Sequence, residues 1–262
     1  MVVFFDIDGT VVDNDTQIIP DSAVRALEAL RAKGHLAVVN TGRPYAHIDK
    51  RIRDLPFGAF VCACGMEVRL GEGWLYRRHP DQALRRHVIQ SVRECGMQTM
   101  LEPDTELMIV DGQYSIHPLL LREAELTRKK GMPLREAEEF EELPFIKGIT
   151  YDWPGCDREG FLRRMEPYFD CIIRENTMIE FVLKGCSKAN GMLELLKAQD
   201  ISVEDTVAIG DSTNDIPMFE VAKHTVCMGN GMEELKAMAE YITDSVLDDG
   251  IEKALQHYGL IE

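Results

Sequence analysis

The chain has 262 residues, 45% of them apolar and 28% charged, and its 29 basic against 45 acidic side chains give a formal charge of −16 with histidine neutral. That balance argues against a nucleic-acid binder, whose affinity comes mainly from basic side chains on phosphates, and the composition argues against disorder or collagen-like structure. No apolar stretch approaches the roughly 18 residues of a membrane helix, and the opening Met1–Phe5 run is stopped by Asp6 with no basic flank or cleavage site, so a cytoplasmic protein with no membrane contact is expected.

Val2 to Ile7 is a run of β-branched and aromatic apolar residues interrupted only by Asp6, the signature of a strand buried on both faces. Asp21 then opens a helix with Ala23, Val24, Leu27 and Leu30 on one stripe and Gly34 just past its end. Leu36 to Val39 reads as a second buried strand. Pro44 suits the first position of a helix running to about Arg53, and Ala59 to Ala63 reads as a third strand. The apolar segments flanking Gly71-Glu72-Gly73 predict a hairpin. This rhythm predicts an α/β fold with a parallel sheet.

From about Asp81 the pattern changes. A helix is expected over Asp81 to Cys95, strands near Met97 to Leu101 and Leu107 to Val110, and an acidic helix-like tract from Arg135 to Glu142. A strand follows at Ile146 to Tyr151, a helix at Asp157 to Met165, and strands at Asp170 to Ile173 and Met178 to Leu183. These strands are more polar, which suits an antiparallel sheet with helices on one face. The βα rhythm then returns, with helices at Lys188 to Lys197, Asp215 to Ala222 and Met232 to Ala239 and strands at Thr206 to Ile209 and His224 to Met228. The expected organisation is a discontinuous Rossmann-like core, residues 1–80 and 185–262, interrupted by an inserted α+β domain over residues 81–184. The seven cysteines are odd in number, mostly in apolar segments and in no metal-ligand spacing, which fits reduced, buried thiols.

The sharpest chemical feature is Asp6-Ile7-Asp8-Gly9-Thr10 at the carboxyl end of the first strand, where open α/β sheets bind ligands. Alternation along the strand lets Asp6 and Asp8 face one side while Ile7 points into the core. Two carboxylates sharing a site need a cation or a proton between them; the plainer alternative is an Asx turn closing the strand. Thr41-Gly42-Arg43 follows the second strand and brings a hydroxyl and a flexible backbone N–H to the same edge. Gly210-Asp211-Ser212-Thr213-Asn214-Asp215 follows the late strand and adds two carboxylates and an amide, or only an N-cap with acids suited to the helix dipole. Lys188 lies at a helix N-terminus, where a cation opposes the dipole. Residues 185–262 hold fifteen acids and five basic residues, so a lysine beside the acidic cluster is a scarce cation.

These four segments, in this order, resemble the haloacid dehalogenase superfamily, and the large insertion resembles the α/β cap domain of its Cof-type sugar-phosphatase branch. The likeness is strongest at residues 3–13, 40–44 and 207–242, where Asp215-Ile216-Pro217-Met218 and Met228-Gly229-Asn230 also fit. The sequence departs from the common family pattern at Cys64-Gly65 and Lys188-Ala189. The resemblance implies Asp6 as the nucleophile that forms an aspartyl-phosphate and Asp8 as general acid and then base. It implies Mg2+ on Asp6, the Asp8 backbone carbonyl and Asp211, with Asp215 in support. It also implies phosphoryl oxygens held by Thr41, Gly42, the Ile7 N–H, Lys188 and Asn214.

The function expected on this basis is Mg2+-dependent hydrolysis of a small phosphorylated metabolite, a sugar phosphate or related ester. A phosphomutase of the same superfamily is the alternative enzyme, and a phospho-accepting signalling module the alternative of another class. Asp8 weighs against the last, because a poised acid/base hastens loss of the phosphate that a signal must keep. A dinucleotide site is disfavoured, since no Gly-x-Gly-x-x-Gly turn follows the first strand. Substrate identity and oligomeric state are left open.

Overall fold

The computed structural model describes residues 1–103, 107–110, 117–129, 134–136, 145–174 and 177–262. In chain order the elements are β1 (Val2–Phe5), α1 (Asp21–Ala32), β2 (Leu36–Asn40), α2 (Lys50–Arg53), β3 (Ala59–Cys62), β4 (Glu67–Leu70) and β5 (Gly73–Arg77). Then come α3 (Gln82–Cys95), β6 (Gln98–Glu102), β7 (Leu107–Val110), α4 (Pro118–Lys129), β8 (Leu134–Glu136), β9 (Lys147–Tyr151), α5 (Arg158–Met165), β10 (Phe169–Arg174) and β11 (Met178–Leu183). The last are α6 (Lys188–Ala198), β12 (Thr206–Gly210), α7 (Ile216–Val221), β13 (His224–Cys227), α8 (Glu233–Lys236), β14 (Tyr241–Ile242) and α9 (Gly250–His257). The chain divides into two units. One comprises Met1–Arg43, Ile48–Arg77 and Ser187–Glu262, and the other Pro44–His47 and Arg78–Cys186. Among the described residues no helix is long and apolar enough to cross a membrane.

The first unit is built on an eight-stranded sheet in the order β14-β13-β12-β1-β2-β3-β4-β5. Strands from β14 to β3 run parallel, and the β3–β4–β5 meander closes one edge antiparallel. Both faces of β1 are sealed, as its unbroken apolar run requires. On one face Val2 and Phe4 pack with Val38, Ala208, Met192 and Leu195 of α6 and Met218 of α7. The other face is covered by α1 and α9, which pack together through stripes including Leu27 and Leu30 of α1 and Ile251 and Leu255 of α9. Strand β1 lies between β12 and β2 in a register that levels Phe5 with Ile209 and Val39. Asp6, Asp211 and Thr41 therefore emerge from three adjacent strand ends at one edge.

The second unit carries a six-stranded sheet in the order β10-β11-β9-β6-β7-β8. Its larger core lies under α3 and α5, where Val88, Ile89, Val92 and Phe161 meet Leu101, Phe169 and Phe181. Phe181 meets Phe161 and Phe169 edge to face at centroid distances of 6.0 and 5.7 Å, a favoured aromatic geometry. Gly148 makes room for that ring, since a Cβ there would lie 2.2 Å from Phe181 Cζ.

Several expectations need correction. The helix expected from Pro44 to Arg53 is two pieces, a single 3-10 turn at Tyr45–His47 and α2. Asp49 breaks it: its side chain accepts from Arg51 N at 2.8 Å and caps a new helix. The second sheet has helices on both faces, because Met100 packs with Leu120 and Ala124 of α4 while its neighbour Leu101 faces α3 and α5. Its strands β7 and β8 pair in parallel. Arg135 and Glu136 belong to β8, and the rest of the expected acidic helix lies outside the described residues. Helices α4 and α9 were not expected.

Phe181 is fully buried, so Phe181→Ala should remove about 3–5 kcal/mol from the second unit. The chain has two tryptophans, Trp74 in the first unit and Trp153 in the second. In a Trp74→Phe background, urea unfolding followed by Trp153 fluorescence should show the unfolding free energy fall by that amount, with the midpoint moving down in proportion, and an unchanged midpoint would contradict the packing described.

Candidate active site

The turn after β1 is tight. The Ile7 carbonyl accepts from the backbone N–H of Thr10, Val11 and Val12 at 3.2, 2.9 and 2.9 Å, while the Ile7 side chain is buried. Gly9 holds a φ of +78°, and a Cβ there would lie 2.3 Å from Asp211 Oδ2. Glycine is required on both counts, for conformation and for space. Asn230 braces the turn from the loop after β13, donating through Nδ2 to the Gly9 carbonyl at 2.8 Å and accepting from Val246 N at 3.1 Å.

At the centre is the Lys188 ammonium. Ser187 N-caps α6, and Lys188 is the first residue of that helix. Its Nζ donates to Asp6 Oδ1 at 2.7 Å, Asp215 Oδ1 at 2.5 Å and Asn214 Oδ1 at 3.2 Å, and the residue is only 2% exposed. Asp215 Oδ2 in turn accepts from the backbone N–H of Asp211 and Ser212 at 3.0 and 3.1 Å. One carboxylate thus organises the 210–215 turn and holds the lysine. Asn214 Oδ1 also accepts from Ser212 Oγ at 2.9 Å.

Burial pushes the Asp6 carboxyl up to about 7; Lys188 opposes the shift, and Asp215 and Asp8 reinforce it. Burial and then repulsion from Asp6 and Asp215 push Asp211 up to about 8. For Lys188, burial works against the charged form, but the pull of Asp215 and Asp6 outweighs it and the net shift is upward. Carboxylate oxygens of Asp6, Asp211 and Asp215 all lie within 4.8 Å of one another, and Asp211 Oδ1 is buried with no hydrogen-bond partner. Hard oxygen donors around an unsatisfied acceptor suit a small divalent cation such as Mg2+.

The fold brings Asp6, Lys188, Asp211, Asn214 and Asp215 together. Thr41 and Gly42 stand at the adjacent strand end, with Thr41 buried and its Oγ1 accepting from Arg43 N at 3.2 Å. The Asp8 side chain turns to Arg43, whose Nε donates to Asp8 Oδ2 at 2.8 Å while its Nη2 engages Oδ1. This bidentate clamp went unread although Arg43 belongs to the Thr-Gly-Arg motif. The Asn230 brace also lay within a noted motif. Asn40 lies within the 40–44 segment of the likeness, yet nothing local assigns it a role, since its partner is 148 residues away.

A buried carboxylate, a buried cation and a cluster of three acids at the carboxyl edge of a parallel sheet make this a candidate catalytic site. The profile of the haloacid dehalogenase-like hydrolases matches residues 3–255, and the chain belongs to that family. A putative phosphatase of Bacillus subtilis, YkrA, is 26% identical over 263 residues, covering 100% of this chain and 98% of that protein. The 5-amino-6-(5-phospho-D-ribitylamino)uracil phosphatase YcsE of the same organism is 25% identical, with 99% and 96% covered. Among solved structures, the subclass IIB sugar phosphatase BT4131 superposes with a TM-score of 0.81 at 26% identity, with 99% of both chains covered. The chain is accordingly an enzyme of the phosphatase kind.

A group whose folded pKa is raised contributes stability below its unfolded value, near 4 for Asp, and loses that contribution as pH rises through the folded value. For Asp6 and Asp211 that loss accumulates from about pH 4 and is complete by about 7 and about 8. Chelator-treated protein should therefore lose Tm from about pH 4 to about pH 8 and level off above it, while the Tm gained on adding Mg2+ grows as these carboxyls ionise, because the ion no longer competes with protons. Asp211→Asn should flatten that gain. A Mg2+ increment that shrinks with rising pH would contradict the metal assignment.

Proposed function

We propose that the protein is a Mg2+-dependent phosphatase that hydrolyses a small phosphorylated metabolite of the sugar-phosphate class through an aspartyl-phosphate on Asp6. The observation that carries this reading is the Lys188 ammonium buried between Asp6 and Asp215. A cation held against a carboxylate at a ligand-binding edge suits an anionic substrate whose reaction builds charge on oxygen. The names of YcsE, a phosphatase of a phosphoribityl compound, and BT4131, a sugar phosphatase, support the substrate class.

In this reading an Asp6 oxygen bonds to phosphorus as the bond to the leaving oxygen breaks, and Asp8 supplies the proton that the departing alcohol needs. Asp8 then accepts a proton from water, whose oxygen displaces Asp6 and yields inorganic phosphate. Lys188, Asn214, Thr41, Gly42 and the Ile7 N–H hold the phosphoryl oxygens. Asp6, the Asp8 backbone carbonyl, Asp211 and Asp215 would hold Mg2+, which supplies charge neutralisation between carboxylate and phosphoryl group. Asp215 has both oxygens engaged by Lys188 and backbone N–H groups, so its part is to fix the set. Arg43 orients Asp8 through both carboxylate oxygens.

A screen of phosphorylated metabolites with Mg2+ tests the reading, and transfer of phosphate to a sugar rather than to water would mark a phosphomutase. Asp6→Asn should abolish turnover and trapping of phosphoenzyme, and label found on another residue would overturn the mechanism. Asp8→Asn should cost ~10²-fold or more on an alkyl phosphate and far less in the first step with an aryl phosphate, whose leaving group needs no proton. Arg43→Ala should show the same leaving-group dependence at smaller amplitude; equal losses on both substrates would place Arg43 on the substrate instead.

A further inference from the structure

Strand β2 presents Leu36, Val38 and Asn40 to one face by alternation. Val38 belongs to the apolar cluster under α6 and α7, and Leu36 packs against it. Asn40 takes the next place on that face, fully buried. Its Nδ2 donates to the backbone carbonyl of Lys188 at 3.1 Å and faces Met218 Sδ at 3.5 Å, while its Oδ1 is buried with no partner. An amide with an orphaned acceptor in an apolar layer is less favourable than an apolar side chain of the same branched shape, such as leucine. Departures from local packing rules concentrate where function requires them.

We infer that Asn40 is a positioning residue for Lys188: its amide ties the lysine's backbone to the end of β2, one residue before Thr41, and so fixes the ammonium relative to the phosphate-binding edge. The inference rests on the role proposed for Lys188. Independent geometry shows how closely this region is drawn together. A Cβ on Gly65 would lie 2.2 Å from the Ser187 carbonyl, and one on Gly191 would lie 2.8 Å from Gly65 Cα. The loop after β3 and the first turn of α6 thus meet backbone to backbone, and Asn40 adds a side-chain tie to the carbonyl of Lys188 itself. A tie of this kind matters because small misplacements of a charged group cost large factors in rate.

The test is Asn40→Leu, with Asn40→Ala as a second variant that removes the amide without adding bulk, each checked for folding by near-UV circular dichroism at saturating Mg2+. Expected for either is a fall in kcat of about 10-fold or more with KM changed far less. For Asn40→Leu, Tm should be equal to the parent's or higher, since the orphaned acceptor is gone. In a Lys188→Met background, itself strongly impaired, adding Asn40→Leu should leave the residual rate unchanged. Parental kcat in both variants, a rate loss matched by loss of folded protein in both, or an undiminished loss in the Lys188→Met background would each overturn the inference. Full activity of Lys188→Met would instead remove the reading of Lys188 and the inference with it, an outcome distinct from failure at Asn40 alone.

Discussion

The site depends on one buried cation. Lys188 is stripped of water, set at the positive end of a helix and restricted in its rotamers, and each of these works against a charged lysine. Two carboxylates offset that, Asp6 at 2.7 Å and Asp215 at 2.5 Å. Neither acid comes free, because each is itself desolvated and lies within a cluster of three. Buried ion pairs of this sort seldom improve on well-packed apolar side chains. In the proposed reaction their presence is readiness for an anion: Asp6, Asp8, Asp211 and Asp215 carry up to four negative charges, and a phosphoryl group would be tolerated there only with cations beside them.

The motif glycines follow from the same crowding. Gly210 has no left-handed backbone to accommodate, yet a Cβ there would lie 2.5 Å from Asp215 Cγ, and one on Gly9 would lie 2.3 Å from Asp211 Oδ2. Each glycine clears room for an acid of the 210–215 turn, one from within that turn and the other from the turn after β1. The spacing of the motifs is thus set by how near carboxylates can be brought to a backbone, as much as by the turns they form.

Much of this was legible in the sequence because the groups of the candidate site are tied to strong local signals. Asp6, Thr41 and Asp211 each follow a short apolar run that could only be a buried strand, and Lys188 betrayed itself as a cation at the wrong end of a helix. The elements misread had weak or competing local signals. The 44–53 stretch looked like one helix until the Asp49 cap divided it, and α9 has only eight residues. The Asn40 amide and the Arg43–Asp8 clamp were hidden for another reason. Their meaning lies in partners 148 and 35 positions away, and no periodicity or propensity encodes such a pairing.

That long-range character bears on how the site forms. Strand β1 pairs with β12 at Val2 and Thr206, and Asp6 meets Lys188 across 182 positions, so the first unit cannot complete its sheet or its site from either stretch alone. The second unit eases this. It has its own core, and its ends meet where Arg78 Nη1 approaches Cys186 Sγ at 3.7 Å across 108 positions. Closing a flexible loop of that length costs about 4 kcal/mol in chain entropy from the length-dependent term alone, a cost that folding of the insertion meets with its own contacts. Once it has folded, Arg77 and Ser187 are joined by a short span, and Lys188, the next residue, is delivered toward β1 almost as if the intervening hundred residues were a turn.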